Sequence, residues 1–378
     1  MALRDDIDPD GMLEFSVVFT DRSLNHMSAA FQAVMRDIST TLREVYRADA
    51  VALVPGGGTY AMEAVARQFA TDNKVLVIRN GFFSYRWSQI FEAGKIPAEE
   101  SVVMARRTGN SARAPFAPPP IEEVVARISE ARPDVVFAPH VETASGIILP
   151  DDYLREVARA VHEVGGLFVL DCIASGCVWV DMQATGVDVL ISAPQKGWSA
   201  PPSAGMVMMN AAARDVARAR QSSSFALDLA KWLTIMEAYE AGGHAYHATM
   251  PTDALRTLAG AMQEMRQIGF DSLAQAQWAL GQGARAALAA RGFASVAAPG
   301  FEAPGVVVSY TSDPDIKSGK AFAAHGVQVA GGVPLMCDEG EDFSTFRIGL
   351  FGLDKLSDVE ATLARLEAAL DAVQADRG

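Results

Sequence analysis

Apolar runs that alternate with helical patterns constrain this chain more than any other feature. Residues 51–54 lead through three glycines into a helical pattern near 60–70, and 75–78 lead into one near 85–93. Residues 135–138 precede a helical pattern over about 151–164. The run 167–170 ends at Asp171, the run 187–191 ends shortly before Lys196, and 205–209 supply one more strand. Unbroken apolar strands are buried on both faces, and helices between them act as crossovers. The pattern therefore predicts an α/β fold with a mostly parallel sheet covered on both sides. In such sheets ligands bind beyond the carboxyl ends of the strands. Thr59, Thr143, Asp171 and Lys196 all fall at or just after strand ends.

Beyond about residue 210 the pattern changes. Residues 226–241, 252–268 and 271–291 show apolar spacing of three and four, as amphipathic helices do. From about 304 onward, short strands at 305–309 and 346–350 alternate with helices, which predicts a smaller α/β domain closing over the first. The expected organisation is an N-terminal arm over 1–22, a large domain over 23–265 and a small C-terminal domain over 266–378. The segment 108–120, rich in Ala, Pro and Arg, is expected to be an exposed loop.

Composition excludes several function classes. With 378 residues the chain is long enough for two substantial cores. A formal charge of −14 and the lack of any Lys/Arg cluster argue against nucleic acid as a partner. No apolar stretch is long enough to span a bilayer, and the acidic, polar start does not read as a secretory signal. Cys172, Cys177 and Cys337 form neither a disulfide framework nor a metal-site spacing. These features read as a soluble cytoplasmic protein without a metal.

Lys196 stands in Ile191-Ser192-Ala193-Pro194-Gln195-Lys196-Gly197-Trp198, at the mouth of a buried strand. Partial desolvation there lowers the pKa of an amine and frees it as a nucleophile toward a carbonyl. Pro55-Gly56-Gly57-Gly58-Thr59 lies between a strand and a helix, either as an anion cradle or as a tight turn. Asp171 ends a buried strand, where a carboxylate needs a cation, a helix to cap, or a pyridinium N–H. Phe82, Phe83, Tyr85 and Trp87 form an aromatic cluster that either stacks on a planar ring or packs in the core. Arg347 interrupts an apolar strand and suits either bidentate capture of a carboxylate or a structural ion pair. His140 and Glu142 read as structural hydrogen bonding at the sheet's edge, and Tyr246–Thr249 as a surface loop between long helices.

Taken together, the motifs from about Phe31 to Leu370 resemble the class V aminotransferases, fold-type I enzymes that use pyridoxal 5′-phosphate. The resemblance is to the alanine/serine–glyoxylate aminotransferase branch. It implies a seven-stranded, mostly parallel sheet in the large domain. Gly57-Gly58-Thr59, followed by Ala61-Met62-Glu63-Ala64, is similar to the branch's phosphate loop, with Gly57 in place of the usual serine. Asn80-Gly81-Phe82-Phe83 resembles the segment that carries the ring-stacking aromatic, which falls on Phe83. His140–Gly146 resembles a His-x-Glu-Ser/Thr-Ser-x-Gly element and places the cofactor-contacting hydroxyl on Thr143. Asp171 matches the aspartate that pairs with the pyridine nitrogen. Gln195-Lys196 matches the Gln-Lys pair, with Lys196 as the Schiff-base lysine. Tyr246 and Thr249 match an element that reaches the cofactor phosphate of the neighbouring subunit, and Arg347 matches the arginine that holds the substrate carboxylate. The family's Gly-Pro-rich N-terminal segment is not recognisable before Ser23.

The resemblance implies ping-pong transamination between a small L-amino acid, serine- or alanine-like, and a 2-oxo acid such as glyoxylate or pyruvate. Lys196 and Asp171 are then the catalytic residues, and the partners are those substrates and a second copy of the chain. The rival on the same fold is a cysteine desulfurase or lyase that uses Cys337, in the loop ahead of Arg347. Desulfurases place His before the lysine, whereas Gln195 stands here.

Overall fold

The computed structural model describes residues 6–377, so residues 1–5 of the expected arm lie outside the described residues. Seven strands form one sheet in the spatial order Ala50–Pro55, Ala204–Met209, Val189–Ser192, Leu167–Asp171, Val135–Pro139, Lys74–Arg79, Glu99–Met104. Neighbouring strands are parallel except at Ala204–Met209, which runs antiparallel to both its neighbours. Every residue of Val135–Pro139, Val189–Ser192 and Ala204–Met209 is buried, as expected for strands covered on both faces.

The helices begin where local chemistry satisfies their first amides. Ser28 caps Ala29–Tyr46 through its side chain, and Asp228 caps Leu229–Glu240. Helix Phe82–Gly94 starts three residues before the sequence pattern predicts. The reason is remote. Glu142 brings its carboxylate to the helix start and accepts from Phe83 N (3.1 Å), Ser84 N (2.8 Å) and Ser84 Oγ (2.6 Å). A carboxylate there satisfies orphan donors and complements the helix dipole.

A second, antiparallel sheet has the order Val306–Tyr310, Thr345–Gly349, Ala330–Gly331. Helices Phe270–Ala290 and Val359–Ala375 pack against each other beside it. The chain passes from Thr252–Ile268 into Phe270–Ala290 at Gly269, whose φ of 99° breaks the helix. Between the two sheets lies a smaller apolar cluster built on Phe116, Val141, Ile147, Val296, Val306 and Tyr310, with Phe83 and Phe351 at its margin.

The segment 108–120 departs from expectation. Residues 108–113 and Pro120 are exposed as expected, while Ala114, Phe116, Pro118 and Pro119 are buried. Phe116 N–H donates to Val296 O (2.7 Å), and Phe116–Ala117 pairs with Arg106–Arg107. Phe116 packs into the smaller apolar cluster with Val296, a partner 180 residues away that local composition does not reveal. No helix among the described residues is long and apolar enough to cross a membrane.

Candidate active site

Lys196 lies four residues beyond Ser192, the last residue of its strand. A turn holds it: Ser199 N–H donates to Lys196 O (3.2 Å) and Ala200 N–H to Pro194 O (3.1 Å). Gly197 lets this turn press onto Gly176, because a Cβ there would stand 2.1 Å from the Gly176 carbonyl oxygen. Trp198, fully buried, anchors the other side. The Lys196 side chain is half-buried, with Nζ 5.2 Å from the centre of the Phe351 ring. Among the described residues no carboxylate pairs with it. Burial, and after it the neighbouring Arg347 charge, lower its pKa.

Asp171 ends the strand Leu167–Asp171 and is 8 % exposed. Its Oδ1 accepts Ile173 N–H (2.9 Å), and no cation among the described residues forms an ion pair with it. Burial pushes its carboxyl up to about 7, with the Ile173 N–H and the Arg86 charge opposing the rise. The strand end is fixed by His140 N–H donating to Asp171 O (2.8 Å) and Cys172 N–H donating to Ile191 O (2.8 Å). His140 Nδ1 lies 2.7 Å from Ser175 Oγ, and burial pushes this imidazole down to about 3, so it is neutral. Both His140 and Glu142 are thus engaged in structural hydrogen bonds.

Helix Gly58–Phe69 opens on Gly57, which offers no side-chain cap. Its first amides have no intrahelical acceptor, and Gly58 and Thr59 face an open cavity. Gly58 also lets the helix start approach the loop after Asp171, since a Cβ would meet Ile173 Cδ1 at 2.4 Å. Arg347 sits mid-strand in Thr345–Gly349, opposite Val308 on one side and Ala330 on the other. Its Nε donates to Gly331 O (2.9 Å), and no carboxylate among the described residues pairs with it. Its guanidinium carbon lies 5.5 Å from the centre of the Phe83 ring.

These elements converge on one cavity of about 410 Å³. Gly58, Thr59, Phe83, Thr143, Gln195, Lys196 and Arg347 all line it. Gly57 adjoins Gly58, and Asp171 stands just behind Ile173, whose side chain forms part of the wall. The lining holds three cations, Arg86, Lys196 and Arg347, and no carboxylate. Arg86 and Phe351 escape the sequence reading. Arg86 is one helical turn from Phe83 on the same face, a relation visible once the helix is known to begin at Phe82. Phe351 follows the Arg347 strand, in a run that reads as core packing.

Other candidates lie elsewhere. Tyr246 and Thr249 occupy an exposed loop, 3.2 Å from each other through their hydroxyls, with the Tyr246 ring 5.5 Å from His26. They do not line the cavity of their own chain. Trp87 is fully buried against Phe91 and Phe137, so that member of the aromatic cluster is core. Cys337 is also buried, its thiol 3.5 Å from Arg79 O and 3.6 Å from Leu335 O. Burial raises its pKa, and it is absent from the cavity wall, which removes the geometric basis for a persulfide route.

Comparison with known proteins agrees with this architecture. The family model described as aminotransferase class-V matches residues 14–333. Alanine–glyoxylate aminotransferase 1 of Saccharomyces cerevisiae is 25% identical over 335 residues, covering 82% of this chain and 82% of the relative. A 2-aminoethylphosphonate–pyruvate transaminase of Burkholderia mallei is 29% identical over 369 residues, covering 93% and 92%. The crystal structure of an alanine–glyoxylate aminotransferase from Nostoc sp. superposes with a TM-score of 0.77 at 25% identity, covering 92% of this chain and 88% of that one. The fold is therefore that of the fold-type I transferases, a mostly parallel seven-stranded sheet with a smaller C-terminal α/β region. The chain belongs to the aminotransferase class-V family, as a transaminase of its alanine–glyoxylate aminotransferase-like branch.

Proposed function

We propose that the cavity holds pyridoxal 5′-phosphate and that the protein moves an amino group from a small L-amino acid, serine- or alanine-like, to glyoxylate or pyruvate by a ping-pong cycle. One observation carries the reading: a lysine amine with a lowered pKa lines a cavity whose wall residue Ile173 donates its N–H to Asp171, a buried carboxylate without a cation. The residues suit the cofactor. The uncapped amides of Gly58 and Thr59 can receive its phosphate, Asp171 can receive a ring N–H, and Phe83 offers a stacking face. Thr143 and Gln195 supply polar contacts on the wall.

When bound, the cofactor supplies an aldehyde that condenses with amines and a ring that takes up electron density. Lys196 would hold the cofactor through its amine, the one lysine on the cavity wall. Lys196 Nζ, once released, would take the proton from the donor's α-carbon and return it to the carbon that the cofactor's aldehyde supplies. Burial and the Arg347 charge, which lower the Lys196 pKa, favour the free amine that this step needs. Asp171 would receive the ring's N–H, and its carboxylate there would stabilise positive charge on the ring. Arg347 fixes the donor carboxylate through its fork of N–H groups, which sets the α-carbon within reach of Lys196. Ile173, Ala174, Val306 and Phe351 make the remaining wall apolar and limit water.

The enzyme works as a homodimer in the cytoplasm, with Tyr246 and Thr249 reaching the cofactor phosphate of the neighbouring copy. Their exposure on the described chain supports that placement. In this reading residues 1–22 form an arm, 23–265 the cofactor domain and 266–378 the smaller domain. The relatives named alanine–glyoxylate and 2-aminoethylphosphonate–pyruvate aminotransferases support small donors and 2-oxo acid acceptors. The test is a panel of amino donors against glyoxylate and pyruvate, with the visible absorbance of the lysine-bound cofactor followed in parallel. Bleaching by serine or alanine and recovery with a 2-oxo acid are expected. A protein that acquires no visible absorbance with pyridoxal 5′-phosphate would sink the reading.

A further inference from the structure

Arg86 brings a third cation into the cavity, and none of the steps above employs it. It lies on the first turns of helix Phe82–Gly94, half-buried, with its guanidinium carbon 5.2 Å from the centre of the Phe83 ring. Nη1 donates to Thr59 Oγ1 (3.1 Å). A guanidinium carries five N–H donors, so most of its capacity is open after that bond. No carboxylate among the described residues pairs with it, and none lines the cavity. Its charge instead acts at a distance on Asp171. A cation tethered to Thr59, beside the free amides of Gly58 and Thr59, is placed to meet an anion at that corner.

Gly57 adds a second observation about the same corner. Its backbone is extended (φ −176°), and a Cβ built on it would meet nothing within 4 Å. Neither conformation nor space requires glycine at this position. Position 57 has room for a second hydroxyl beside that of Thr59 and carries none, while a guanidinium is delivered from the neighbouring helix.

We propose that Arg86 is a phosphate-binding residue: with Thr59 and the first amides of helix Gly58–Phe69, it holds the phosphate of the cofactor. The proposal rests on the pyridoxal 5′-phosphate reading above. A tethered guanidinium gives the phosphate two parallel N–H contacts that a single hydroxyl cannot. The same chemistry would also accept a second acidic group on an amino donor, so the test separates cofactor from substrate.

The experiment titrates the cofactor-free wild type, Arg86→Gln and Arg86→Lys with pyridoxal 5′-phosphate and, separately, with pyridoxal, which lacks the phosphate. Visible absorbance and thermal stabilisation are the readouts. Arg86→Gln is expected to weaken pyridoxal 5′-phosphate binding about ten- to a hundredfold, the range for a hydrogen bond to a charged group, and to leave pyridoxal binding unchanged. Arg86→Lys should fall between, because charge remains without the fork. Gly57→Ser in the Arg86→Gln background should recover part of the loss, since the new side chain has room. Unchanged affinity for pyridoxal 5′-phosphate in Arg86→Gln overturns the proposal. So does an equal loss for both ligands, which marks a merely structural role. A raised KM confined to donors with a second acidic group assigns Arg86 to the substrate and likewise overturns it. Wild-type protein that binds neither ligand refutes the cofactor reading itself, and the proposal with it.

Discussion

The two walls of the cavity are built differently. Gly58, Thr59 and Lys196 follow strand ends of the seven-stranded sheet, with Asp171 behind them, where bonds of 2.8 Å fix both His140 to Asp171 and Cys172 to Ile191. The facing wall, Ala330, Arg347, Gly349 and Phe351, comes from a three-stranded sheet whose edge strand is two residues long. The loop between its last two strands includes Met336 and Asp338 at positive φ (61° and 57°). That loop is pinned by a few contacts: Arg79 Nη1 donates to Met336 O (3.3 Å), and Arg107 Nη2 donates to Glu339 O (2.6 Å). The groups proposed to handle protons and electrons stand on the firm wall. The group proposed to recognise the donor stands on the smaller sheet, next to its two-residue edge strand. Changes on the first should appear in kcat, and changes on the second in KM and donor choice.

The largest effect expected is for Lys196→Ala, which removes both the nucleophile and the proton carrier. Turnover should fall by roughly 10⁴ or more while circular dichroism stays that of the wild type. Near-normal turnover in a folded variant would break the comparison at its root.

Asp171→Asn should lower kcat by about a hundredfold or more, the scale of losing one preorganised electrostatic partner. It has a second, opposite signature in the cofactor-free protein. The native carboxyl titrates near 7 and the unfolded one near 3.8, so the native state binds more protons between those values. Wild-type stability should therefore fall as pH rises through that window, by on the order of 4 kcal/mol at most. Asp171→Asn should abolish this slope, with the two proteins converging toward pH 4, as melting curves across pH would record.

On the facing wall, Arg347→Gln should raise KM for the amino donor about ten- to a hundredfold and change kcat less. It also removes a charge that lowers the Lys196 pKa, so the acidic limb of the kcat/KM profile should move to higher pH. A drop confined to kcat would erase the distinction between the walls. Phe351→Ala opens space against Lys196 and should shift preference toward bulkier donors by about tenfold relative to serine, read as a ratio of kcat/KM values. Smallest of all, Cys337→Ala should leave transamination unchanged, give no change in sulfide release from L-cysteine, and reduce stability by about 1 kcal/mol.

The sequence made the large sheet readable because strands buried on both faces are unbroken apolar runs, as in 135–138 and 189–191. Strand ends in turn bring Thr59, Thr143, Asp171 and Lys196 to one edge of the sheet, a relation legible from the pattern alone. What stayed hidden depends on contacts remote in the chain. Local pattern starts the second helix near 85, since the carboxylate that begins it at Phe82 comes from Glu142, 58 residues downstream of Ser84. With that start misplaced, Arg86 is not seen to share a face with Phe83. The burial of 114–119 rests on Phe116 meeting Val296, and Phe351 gains meaning only when its ring covers Lys196. Periodicity encodes which face of an element is buried, but not what it meets.

Glu142 has one more consequence. Its carboxylate also accepts Ala144 N–H (2.9 Å), so a single side chain ties the start of the Phe83 helix to the turn that carries Thr143. Phe83 and the turn of Thr143 are thereby held by one carboxylate. An exchange of Glu142 strands several amide donors at once, at about 1–3 kcal/mol for each one left buried and unmet. Variation at positions 84 and 142 is thereby coupled: a lineage crossing from this clamp to another must replace both partners or pass through an intermediate whose helix end is bare.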